Sequence, residues 1–238
     1  MKFTWIGGPS YVLDLGPFRI VGDPLHLREA KEGGLVSAVP ADTVTDAVLV
    51  TSALPDHFDP DAIASCEART VVVPANVSDP SIENTRPLAH GNSLRLEKEG
   101  AVLTIAAVPA AGQDNGYFLS LESGARPFTA YVTGDTLFSE DTRAIQRQHG
   151  YANLLVIHVG AERTPDGKLR SADAMQAMQI IYRMQPNAIA AVHHHTLSHY
   201  TEPLDPLVEK AGLTIYEKRL RVLREGESFQ KTIVPGEE

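Results

Sequence analysis

Three groups of polar residues in this 238-residue chain have the chemistry to hold a cation, and each follows an apolar run. Asp56 and His57 come after residues 47–51, Ala-Val-Leu-Val-Thr. Asp135 comes after residues 128–133, within Thr133-Gly134-Asp135-Thr136. His193, His194 and His195 come after residues 188–192. Apolar runs of this length read as strands covered on both faces. The polar groups then lie just past the carboxyl ends of those strands, where α/β sheets gather their ligands. Carboxylate oxygens and neutral imidazole nitrogens are donors that zinc, manganese or iron accept. If 193–195 is extended, alternation puts His193 and His195 on one side and turns His194 to the other, toward solvent.

The elements that must carry these groups follow from pattern. Residues 3–6, 11–15 and 18–21 are β-rich and are separated by Gly7-Gly8-Pro9 and Gly16-Pro17, which reads as a meander. Asp59-Pro60 has the form of an N-cap followed by a first-turn proline, opening a short helix through Cys66. Further strands are expected at 70–73, 93–97, 102–108, 116–122 and 154–159, with a helix over 140–148. Ser171 is expected to cap a helix reaching Met184, in which Ala174, Ala177, Met178 and Ile181 form a core-facing stripe. A helix over 204–211 and a pair of strands within 213–223 complete the series. Strands with helices interposed predict a layered α/β fold. No repeat or linker interrupts it, so residues 1–238 are expected to form a single domain.

Composition narrows the partners. With 43% hydrophobic and 21% charged residues the chain can build a sizeable core, which argues against disorder. A net charge of -9, with 21 unclustered Lys and Arg, excludes a nucleic-acid surface. The single cysteine, Cys66, excludes an intrachain disulfide and a CxxC-type zinc knuckle, and reads as a small core residue. No apolar stretch approaches the ~20 residues of a membrane helix, and residues 1–8 lack the pattern of an export signal. A cytoplasmic protein acting on a small-molecule substrate, away from membranes, is the expectation; oligomeric state is left open.

Several short motifs occur in a telling order. They are Trp5-Ile6-Gly7, Gly22-Asp23-Pro24, residues 46–51, Asp56-His57-Phe58-Asp59, Val108-Pro109-Ala110, Asn115-Gly116-Tyr117, Thr133-Gly134-Asp135-Thr136 and Val192-His193. Thr196-Leu197 and Glu202-Pro203 extend the series. Together they resemble the metallo-β-lactamase superfamily, most closely its broad branch of metal-dependent hydrolases. The resemblance implies an α/β fold of four layers, an αβ/βα sandwich with the metal centre where the two sheets meet at one edge. Its members usually hold one metal with three histidines, two from an H-x-H-x-D-H motif and one from a later loop. A second metal takes the motif's Asp and last His plus a distant His, and a Gly-Asp aspartate bridges both. The implied nucleophile is a metal-activated water.

This chain departs from that motif. Ser52-Ala53-Leu54-Pro55-Asp56-His57 stands where H-x-H-x-D-H is expected, so Ser52 and Leu54 replace both leading histidines. Ala111-Gly112-Gln113 stands where the later loop histidine belongs. The first metal loses all three imidazoles, whereas the second keeps Asp56, His57, Asp135 and His193. The resemblance therefore implies one divalent metal, zinc first with manganese or iron as alternatives, on those four residues. Asp56 or Asp135 would orient or deprotonate the water, and Asp23 would support the ligands from behind. Ser52 is expected to fill vacated space through hydrogen bonds. Two alternatives remain at this point: a catalytically silent binding or scaffold protein, and a second site rebuilt from His26, His158, His194, His195 or His199.

Overall fold

The computed structural model describes residues 1–26, 44–124, 126–194 and 196–232. Among them the chain forms two seven-stranded sheets. The first begins as the expected meander: β1 (Lys2–Gly7), β2 (Ser10–Leu15) and β3 (Phe18–Gly22) pair antiparallel. It continues in parallel through β4 (Ala47–Leu49), β5 (Val71–Pro74) and β6 (Thr85–Leu88). The second sheet runs antiparallel through β7 (Ser93–Lys98), β8 (Ala101–Pro109), β9 (Asn115–Glu122) and β10 (Phe128–Val132). It then turns parallel through β11 (Leu154–His158), β12 (Ala188–Val192) and the two-residue β13 (Leu220–Arg221). Finally β14 (Ser228–Gln230) returns to the free edge of β1.

Period-2 alternation sorts the side chains into layers. Leu13, Ile20 and Leu49 of the first sheet face Leu103, Leu119, Val132 and Val156 of the second across one buried core. On the other face of the first sheet, Val48, Val50, Val71 and Val73 pack under Ile63 of α1 (Pro60–Ser65). Behind the second sheet, Leu155, Ile157 and Ile189 meet α2 (Glu140–His149), α3 (Ala174–Met184) and α4 (Asp205–Gly212) through Ile145, Ile181 and Leu207. The result is the four-layer αβ/βα sandwich that the motifs implied.

Local chemistry sets the helix starts. Asp59 caps α1, its carboxylate accepting from Ala62 N at 3.0 Å with Pro60 at the first position. For α3 the expected cap was misplaced by two residues. Asp173 accepts from Gln176 N at 2.8 Å, while the Ser171 hydroxyl accepts from Glu162 N at 2.9 Å and ties down the preceding loop. The strand pair expected within 213–223 reduces to β13, because residues 214–219 fold as turns. Neither β6 nor β14 was anticipated. β6 carries Arg86 and Pro87, which only an edge strand tolerates, and it is the edge of its sheet.

Candidate metal centre

The polar groups converge at the carboxyl ends of the parallel strands, two from each sheet. Asp23 follows β3, and Asp56 and His57 lie beyond β4; Asp135 follows β10 and His193 follows β12. Asp23, His57, Asp135 and His193 are fully buried.

Asp23 anchors the arrangement. Its Oδ1 accepts from Thr51 N at 2.7 Å, and its Oδ2 accepts from the Thr51 hydroxyl at 2.6 Å. The same Oδ2 lies 2.9 Å from His57 Nδ1. An ionised carboxylate there requires Nδ1 to carry the proton, which turns Nε2 toward Asp135 Oδ2 at 3.5 Å and Asp56 Oδ2 at 3.6 Å. His193 lies with φ 63°, a backbone state that turns the chain out of the strand, and its N–H donates to Gly8 O at 2.6 Å. Its Nδ1 donates to Val159 O at 3.2 Å, leaving Nε2 facing Asp56 Oδ2 at 3.2 Å.

The four residues implied by the motifs thus come together, as a chain of contacts rather than one compact knot. His57, Asp135 and His193 hold donor atoms within 4.8 Å of one another. Asp56 joins them through His57 and His193, and also belongs to an outer group with Glu162, His193 and His199. His199 Nε2 lies 3.0 Å from Asp56 Oδ2 on a ring that is 41% exposed, against 0% for His193.

Charge is strongly coupled here. Burial pushes the His57 pKa down, but the carboxylates of Asp135 and Asp23 outweigh it and hold the imidazole well above its ordinary value. Burial also pushes Asp135 up, and His57 and His193 more than reverse this, keeping it ionised well below the usual carboxylate range. Asp56 is lowered in the same way against its burial, through His193 and His199. His158 Nε2 sits 3.4 Å from the same Asp23 oxygen, yet burial dominates and its pKa falls. Asp23 thus lies between two imidazoles that shift in opposite directions, His57 upward because it also faces Asp135 and His158 downward because burial prevails.

The residues fit a divalent cation. His57 Nε2 and Asp135 Oδ1 are both buried and lack a hydrogen-bond partner among the described residues. An unsatisfied donor or acceptor at such depth costs about 1–3 kcal/mol, and a cation held by His57 and Asp135 would offset that cost. The Asp23, His57 and His158 grouping is a weaker candidate, because Thr51 and His57 already engage both Asp23 oxygens.

Other expectations divide. Asp23 contacts His57 at Nδ1, on the side of the ring away from Asp56 and Asp135, and Ser52 does enter a hydrogen-bond network, accepting from Leu54 N at 3.2 Å and approached by Arg170 Nη2 at 3.5 Å. Cys66 is buried in the layer beneath α1. His194, expected toward solvent, is instead buried and stacks on Trp5 with ring centroids 4.4 Å apart. The left-handed turn at His193 breaks the alternation on which that expectation rested. His195 lies outside the described residues. His26 donates its backbone N–H to Asp59 Oδ2 at 2.9 Å and joins none of the donor groups found among the described residues.

Sequence reasoning missed Glu162, Arg170 and Asp114. Arg170 Nε lies 3.2 Å from Asp135 Oδ2 and 3.8 Å from Glu162 Oε2, and its Nη2 lies 2.9 Å from Asp114 Oδ2. Glu162 and Arg170 flank a hairpin turned by Pro165-Asp166-Gly167 and closed by the Arg163–Leu169 bridge. The Pro-Asp-Gly signal marks the turn, but nothing local says that its arms reach the centre.

Comparison with solved structures agrees with this architecture. An isothiocyanate hydrolase from Delia radicum gut bacteria superposes with a TM-score of 0.74 at 18% identity, over 97% of this chain and 99% of its own. A possible metal-dependent hydrolase from Veillonella parvula DSM 2008 gives 0.73 at 18% identity, over 96% and 98%. A metallo hydrolase from the hyperthermophilic archaeon Ignicoccus hospitalis KIN4/I gives 0.71 at 18% identity, over 97% and 99%. At such identities the likeness is one of fold. No curated protein matches the chain. The model of the β-lactamase superfamily domain matches residues 2–193, the stretch that carries every ligand candidate from Asp23 to His193, and the chain belongs to that superfamily.

Proposed function

We propose that the protein is a metal-dependent hydrolase of small molecules, working with one divalent ion held by Asp56, His57, Asp135 and His193. The observation that carries this reading is the pair of buried atoms His57 Nε2 and Asp135 Oδ1, neither hydrogen-bonded among the described residues, in a site crowded with carboxylates. A divalent ion held there supplies Lewis acidity, lowering the pKa of a water toward neutrality and polarising an electrophile. Zinc suits the mixed imidazole and carboxylate donors, and manganese or iron fit them as well.

The chain's own residues divide the remaining work. Asp23 fixes the His57 ring and keeps its proton on Nδ1. Asp135, fully buried and ionised, holds its carboxylate in place as a ligand. Asp56, whose side chain is 10% exposed, reaches solvent and is the residue placed to orient a water and take its proton. His199, beside the same Asp56 oxygen at the open side, can relay that proton outward. A cavity of about 440 Å³ lined by Pro109, Gln113, Asp114, Thr136, Leu137 and Arg170 is linked to Asp135 through Arg170 and has room for a small substrate.

Two measurements test this. Tag-free protein should carry one ion per chain by elemental analysis, and Asp135→Ala should carry none. A screen of phosphodiester, lactone and thioester substrates should find turnover that a chelator removes and Asp135→Ala abolishes. Ion-free protein with no such turnover would favour a silent binding module instead.

A further inference from the structure

Arg170 lies where no imidazole remains. The resemblance gives Ser52 and Asp135 as two of the positions around a first ion, and the Arg170 guanidinium touches both, at 3.5 Å and 3.2 Å. It also gathers Asp114 at 2.9 Å and Glu162 at 3.8 Å, so three carboxylates share one side chain that is 23% exposed. Three such groups in a half-buried pocket repel one another unless a positive charge stands among them. In a two-ion site that charge is a metal; here it is part of the chain. One guanidinium amino group, Nη1, has no partner among the described residues, and Arg170 lines the cavity of about 440 Å³.

We propose that the Arg170 guanidinium stands in for the first ion: it neutralises Asp114, Asp135 and Glu162, and so limits the centre to a single metal. This rests on the one-ion reading above and accounts for how the fold tolerates losing three histidines together. Arg170 acts through Asp135 and is a positioning residue. Its planar fork suits several carboxylates at once, and its charge persists at every accessible pH. Leu54 and the segment Ala111-Gly112-Gln113 offer no competing imidazole.

The test compares wild type, Arg170→Lys and Arg170→Met. Each is stripped with chelator, melted, then melted again with manganese(II), a hard cation suited to oxygen donors. Bound ions are counted after gel filtration. Metal-free Arg170→Met should melt several degrees below wild type, with Arg170→Lys between them. Manganese(II) should raise Arg170→Met more than wild type, and this variant alone should retain more than one ion per chain. Adding Asp114→Asn to Arg170→Met should restore part of the lost melting temperature, since it removes surplus charge. An Arg170→Met protein that folds only when manganese(II) is present would also support the proposal.

It is overturned if Arg170→Met binds one ion and gains no more from manganese(II) than wild type does. It is equally overturned if Arg170→Lys behaves like Arg170→Met, or if Arg170→Met fails to fold with or without the ion. Failure of the one-ion reading looks different: wild type itself would then bind no ion, while the metal-free melting order would still report on the charge of Arg170.

Discussion

At the scale of single residues, the centre depends on where protons sit. Asp23 accepts from Thr51 twice and from His57 once, and that saturation keeps His57 Nε2 free and aimed inward. Asp23→Asn preserves size but gives up the negative charge that orients the ring. Losses behind a ligand histidine typically weaken metal affinity about 10–100-fold. A chelator-competition titration with zinc should show a loss in that range, with the four proposed ligands still present. An unchanged affinity would mean that the ring is held by packing alone.

At the scale of elements, backbone turns do the aiming. Gly134 has φ 58°, and a Cβ there would lie 2.7 Å from the carbonyl oxygen of Asn115 at the start of β9. β10 can therefore approach β9 closely and still release Asp135 into the centre only with glycine at this position. Gly134→Ala combines a left-handed conformation, costing about 1–2 kcal/mol, with a contact against rigid backbone. The variant should melt lower and bind less metal than wild type, read from one melting curve with the ion and one without. Lower stability with wild-type affinity would show that the turn supports the fold and not the aim of Asp135. The same logic explains His193, whose left-handed backbone directs one imidazole at Asp56 and buries the next against Trp5.

At the scale of the whole molecule, the centre is assembled from both sheets. Asp23, Asp56 and His57 come from one and Asp135 and His193 from the other, so an ion held among them would tie the two together. A ligand that binds only the folded state stabilises it by mass action, about 2.7 kcal/mol at one hundred times its Kd. For a chain of this size that corresponds to a rise in Tm of about 5–10 °C. Adding zinc to metal-free protein should produce this rise, EDTA should reverse it, and Asp135→Ala should abolish it. A flat response in wild type would count against an ion linking the sheets.

The linear chain carried much of this. β-rich runs between Gly and Pro turns marked the three strands of the meander, apolar runs marked β10, β11 and β12, and the Asp-Pro pair marked the start of α1. The ordered motifs pointed to Asp56, His57, Asp135 and His193, because donor groups beyond strand ends leave a local trace: a short polar group after an apolar run. Other features leave none. Arg170, Glu162 and Asp114 sit in loops whose local sequence encodes turns, and only the pairing of β9 and β11 on either side of β10 in the second sheet brings those loops to Asp135. The same is true of β6 and β14, edge strands with little apolar pattern of their own, which form because a neighbouring strand offers unpaired backbone groups. Sequence by itself determined which side chains can serve as donors. Tertiary structure alone decided which cation each carboxylate faces, since charge acts across a few ångströms of space and not along the chain.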